Sequence, residues 1–95
     1  MKKSHPSSKG LEELYQAILR LRSLKECKMF FRDLCTLSEM TALTERFQVV
    51  QMIEKGIPYR QISQKTGAST ATITRVAHWF RNGTGGYRLV LRRLK

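Results

Sequence analysis

Ninety-five residues carry 18 Lys and Arg against seven Asp and Glu, a formal net charge of +11, with an apolar share of 41%. That apolar share excludes a disordered chain, and the length excludes more than one small domain, which buries only about 60–65% of its unfolded surface. No run of about 18 apolar residues is present to span a membrane, and the polar opening MKKSHPSSKG leads into no apolar signal core, so a cytoplasmic protein is expected.

The distribution of charge says more than its sum. All seven acidic residues lie in the first 54 positions, and from Lys55 to Lys95 there are nine basic residues and no acidic one. A solvated surface usually mixes signs, so a half of one sign points to a polyanionic partner. The basic half lacks the dominant apolar stripe of a membrane-surface helix, which favours nucleic acid. Cys27 and Cys35 have no close spacing and sit among apolar residues, the pattern of reduced core cysteines.

Residues 1–10, with Pro6, Gly10 and three Lys, read as a flexible basic arm, either simply solvated or lying along phosphates. Residues 11–95 read as a single all-α domain. A first helix is expected over Leu11–Arg22, with Leu11, Leu14, Tyr15, Ile18 and Leu19 at steps of three and four. Ser23 is a plausible cap before a second helix over Leu24–Leu34. Thr36-Leu37-Ser38-Glu39 has the form of a capping box and opens a third helix running to about Lys55. Met40, Leu43, Phe47, Val49, Val50, Met52 and Ile53 are too many for one stripe, so more than one neighbour should bury this helix. Gly56 suits its C-terminal cap, and Pro58 should begin the next helix. Asn82–Gly86 is a loop by composition, and Tyr87–Lys95 a last short helix with Tyr87, Val90, Leu91 and Leu94 inward.

Between these elements, YRQISQKTGASTATITRVAHW (Tyr59–Trp79) has the layout of a helix-turn-helix, about residues 58–80. A short helix over Tyr59–Thr66 meets Gly67, which can take positive φ, and a second helix opens on the N-cap Ser69. Ile62, Ala68, Ile73 and Val76 fall where crossed helices bury small or branched groups. The second helix then offers Ser69, Thr70, Ala71, Thr72, Thr74 and Arg75 to DNA, its first residues suited to base edges and thymine methyls. Arg60, Gln61 and Lys65 on the first helix suit the phosphate backbone.

No enzyme assembles from this chain. His5 and His78 form no metal-ligand spacing with either cysteine, and the carboxylates are scattered over separate helices. Gly83-Thr84-Gly85-Gly86 lacks the strand and the Lys-Ser/Thr ending of a nucleotide-binding loop. The rival to a DNA-binding protein is a helical interaction module whose basic face meets an acidic protein partner.

With TALTERFQVVQMIEKG, GASTATITR and a glycine-containing link to a short last helix, the chain from about Thr36 to Leu94 resembles the Trp repressor family, especially its YerC/YecD-type branch. The resemblance implies six helices in an intertwined homodimer, presenting two helix-turn-helix heads to a palindromic operator in double-stranded DNA, and a repressor-like transcriptional regulator. It also implies a tryptophan pocket to which Thr36, Arg46 and Arg75 correspond. Two positions depart from that pocket: Val76 stands where the family has a glycine, and Trp79 where it has a serine. Both crowd the space, and Trp79 either occupies it or serves as a core or dimer-interface aromatic. The expectation is a regulator without tryptophan as co-repressor and without any other cofactor, the alternative being a tryptophan-responsive repressor.

Overall fold

The computed structural model describes residues 5–95, in which six α-helices follow one another and, among the described residues, no strand forms. They are α1 (Ser8–Leu19), α2 (Leu24–Leu34), α3 (Leu37–Glu54), α4 (Tyr59–Thr66), α5 (Thr70–Asn82) and α6 (Gly86–Arg93). The chain divides into two compact units, the first ending at Thr36 and the second spanning Leu37–Lys95. Helix α1 begins three residues inside the stretch read as an arm. The Ser7 hydroxyl accepts the amide of Gly10 at 2.9 Å, a cap that starts the helix ahead of its first apolar residue. The rest of the proposed arm, up to residue 4, lies outside the described residues.

In the first unit, Ser23 caps α2 by accepting the amide of Glu26 at 3.1 Å, and the Glu26 carboxylate reaches back to the Arg22 amide at 2.8 Å. Neither α1 nor α2 contains a buried residue. Cys27 and Cys35 are free and half-buried, and within this unit alone there is no core for them to join. Tyr15, Leu19, Leu24, Met29 and Leu34 are all exposed, Leu19 and Leu24 to about seven-tenths.

The second unit holds the core. Val49, Val50 and Ile53 of α3, Ile62 of α4, Ile73, Val76 and Ala77 of α5 and Leu91 of α6 are buried, with Ala68 in the turn between α4 and α5. Fully burying each branched side chain contributes about 1.5–3 kcal/mol. The apolar excess of α3 is therefore only partly explained within this chain. Its C-terminal half is covered by α4 and α5, whereas Leu37 and Leu43 near its start remain exposed.

At the end of α3, Gly56 takes φ +80°, and the amide of Ile57 returns to the Met52 carbonyl. Pro58 stands one position before α4 as its N-cap rather than as its first residue, a difference within the ordinary spread of helix ends. Helix α6 turns Tyr87 and Leu91 inward, but Val90 and Leu94 are exposed, contrary to the expected inward set. The packing against α5 reaches one narrow stripe of this two-turn helix, and Val90 and Leu94 lie on the next stripe. Glycine is required where α5 ends, because a Cβ at Gly83 would collide with the Trp79 carbonyl. Lys95 closes the unit with an ion pair to Glu54 at 2.9 Å, partly exposed and so worth little to stability.

Candidate nucleic-acid interface

The turn between α4 and α5 is built from side chains that satisfy its backbone. Gly67 takes φ +79° and its amide returns to the Ser63 carbonyl at 2.8 Å. The Ser63 hydroxyl donates to the Ala68 carbonyl at 2.8 Å. The Thr66 hydroxyl donates to the Ile62 carbonyl and accepts the Ala68 amide at 3.1 Å. Ser69 then caps α5 by accepting the Thr72 amide at 3.1 Å. A side chain at Gly67 would meet open space, so its cost is conformational alone. Gly67→Ala should lower unfolding free energy by about 1–2 kcal/mol, the penalty of a left-handed residue with a Cβ, measured as a shift in urea midpoint at unchanged slope.

Helix α5 presents Thr70, Ala71, Thr74, Arg75 and His78 along one open, shallow depression. Its first turn has no acidic residue, so the positive end of the helix dipole is not offset. Arg60, Gln61 and Lys65 on α4 are all exposed. Thr72 is placed differently from its neighbours. Residues two apart on a helix are separated by about 200°, so Thr70, Thr72 and Thr74 cannot share a face. Thr72 is half-buried and its hydroxyl accepts from the Ser69 hydroxyl at 3.1 Å, which makes it part of the cap rather than of the outer stripe.

A second concavity of about 410 Å³ lies between α3 and α5. Ala42, Glu45 and Arg46 line it from α3, and Thr72, Arg75, Val76 and Trp79 from α5. Arg75 therefore borders both the outer face and this groove. Among the described residues Glu45, which shares this groove with Arg46 and Arg75, forms no close ion pair with either. Val76 is 3% exposed and belongs to the core, whereas Trp79 is 56% exposed at the groove's edge. The reading of Trp79 as a core aromatic is thereby corrected: at this end α5 meets the core on the side of Val76, Ala77 and Phe80, and position 79 falls outside it. Thr36 closes the first unit and is exposed.

Sequence reading missed one element of this interface. Arg81, near the end of α5, donates from Nη1 to the Tyr59 hydroxyl at the start of α4 at 3.0 Å, tying the two helices 22 residues apart. Farther on, Arg88 of α6 donates to the Phe80 carbonyl at 3.1 Å and lies 4.3 Å over the Phe80 ring. Among the described residues no group of three or more His, Cys, Asp or Glu is placed to hold a metal ion, and no helix is long and apolar enough to cross a membrane.

Two short helices, crossed over an apolar core with a basic outer face, define a helix-turn-helix protein. The family model for the Trp repressor protein matches residues 9–95. The Bacillus subtilis (strain 168) protein YerC is 44% identical over 87 residues, 92% of this chain and 84% of that one. The crystal structure of a TrpR-like protein from Eubacterium eligens ATCC 27750 superposes with a TM-score of 0.88 at 45% identity, covering 92% of this chain and 90% of that one. The crystal structure of a putative Trp repressor from Staphylococcus aureus gives the same TM-score at 44% identity, covering 93% and 88%. The chain belongs to the Trp repressor family, of the YerC-related type, and its fold and family are those of DNA-binding regulators rather than enzymes.

Proposed function

We propose that this chain is a sequence-specific, repressor-like transcriptional regulator that acts in the cytoplasm as a homodimer on a palindromic operator, without tryptophan as co-repressor. The observation that carries the reading is the outer face of α5: Thr70, Ala71, Thr74 and Arg75 exposed at a capped helix N-terminus free of acidic residues. Short hydroxyl and methyl groups there suit base edges and thymine methyls, and Arg75 beside them offers a guanidinium to the phosphates. Arg60, Gln61, Lys65 and the Ser69 cap fit the phosphate backbone beside them.

The dimer is supported by the first unit. Two helices with no buried side chain and five exposed large apolar residues have no core of their own, and a second copy is the partner such a surface fits. Two-fold symmetry would set the recognition helices about 34–36 Å apart, for successive major grooves.

The tryptophan half of the proposal rests on Val76 and Trp79. In the groove with Arg46 and Arg75, a buried β-branched side chain forms part of the wall and an indole stands at the edge, leaving the arginines to serve DNA phosphate. Calorimetric titration with L-tryptophan should show no saturable heat in the micromolar range; one site per chain at micromolar affinity would refute this part. The DNA-binding part is tested by fluorescence anisotropy of a labelled duplex over a salt series. Affinity should fall steeply, by about −0.9 in the log–log slope for each phosphate neutralised, and a flat response would favour an acidic protein partner instead.

A further inference from the structure

The outer stripe of α5 does not stop at the residues assigned to DNA. Thr70, Thr74, His78 and Asn82 recur every four residues, and His78 lines the same open depression as Thr70, Ala71, Thr74 and Arg75. His78 is exposed, and its ring is held on two sides. It packs edge-on against the Trp79 ring at 5.1 Å between centroids, and Asn82 Nδ2 lies 3.4 Å from its Nδ1. An amide nitrogen only donates, and in the tautomer whose Nδ1 accepts it, Nε2 is the ring's N–H donor.

Distance along the helix separates the roles. At about 1.5 Å per residue, Thr74 stands roughly 6 Å and His78 roughly 12 Å beyond Thr70. The major groove is about 8.5 Å deep. A helix entering by its N-terminal end brings Thr70 and Thr74 within that depth and leaves His78 at the rim, where phosphates lie. We propose that His78, oriented by Asn82, donates its Nε2–H to a backbone phosphate and fixes how deeply α5 seats in the groove. This rests on the DNA-binding reading above. It adds a hydrogen bond that carries no sequence information.

The test is anisotropy on the full-length protein with two labelled duplexes of unrelated sequence, for wild type, His78→Ala, His78→Gln, Asn82→Ala and Arg75→Ala. His78→Ala should weaken binding about tenfold on both duplexes, the lower end of what a hydrogen bond to a charged acceptor contributes. His78→Gln, whose amide can still donate, should recover most of the loss, and Asn82→Ala should fall between. Circular dichroism melts, expected to match wild type at these exposed positions, exclude a folding defect. Affinity of His78→Ala within about twofold of wild type would overturn the proposal, and so would a loss confined to one duplex, which marks a base reader. If those results accompany a wild type that binds and an Arg75→Ala that binds more weakly, only the His78 assignment fails. If wild type binds neither duplex, the DNA-binding reading fails with it.

Discussion

Arg75→Ala is expected to weaken operator binding by about 1–3 kcal/mol at each half-site, roughly tenfold to a hundredfold, and to reduce the salt slope there by about one. Arg75 is exposed on the outer face of α5 and also borders the groove that holds Arg46 and Glu45. Thr72→Ala should cost less DNA affinity. That hydroxyl is half-buried and bonded to Ser69, so its removal loosens the cap and takes no donor away from the DNA. Anisotropy titrations of the two variants at several salt concentrations provide the comparison. Equal losses, or an unchanged slope for Arg75→Ala, would show that the guanidinium is not at the phosphates.

Ile73→Ala is expected to have the largest effect on stability. Ile73 and Ile62 are completely buried where α5 crosses α4, in the same cluster as Val49 and Val50 of α3. Truncation there removes transfer free energy and leaves a cavity between three helices, a loss of about 2–5 kcal/mol. A domain of this size has only about 5–15 kcal/mol in total. The variant should show a large fall in urea midpoint, with DNA binding reduced in proportion to the unfolded fraction. Thr74→Ala, one residue away on the exposed face, should leave the midpoint nearly unchanged. The pair separates the inner and outer roles of the same helical turn.

The contrast between Ile73 and Thr74 also explains what could be read from the sequence. Helices α2, α4 and α5 were legible because their ends are written in local chemistry: Ser23 and Ser69 as caps, and Gly67 as a left-handed turn. The inner set Ile62, Ala68, Ile73 and Val76 follows from helical spacing and is buried throughout. The start of α1 was less legible because the Ser7 cap lies in a polar stretch that composition marks as an arm. Val90 and Leu94 read as inward because periodicity reports an apolar face, not whether anything in the same chain covers it. The Tyr59–Arg81 hydrogen bond joins residues 22 apart, and no local pattern encodes such a pair. Trp79 had the same difficulty. Its chemistry suggests burial, but only the packing of α3 against α5 decides that it stands at the groove's edge.

Selection of bound sites from a pool of random duplexes tests the central claim most directly. A homodimer reading DNA with two α5 helices should enrich an inverted repeat whose half-site centres lie one helical turn apart, about 10–10.5 base pairs, or a multiple of it. Enrichment of a single unsymmetrical site, or of no sequence at all, would contradict it.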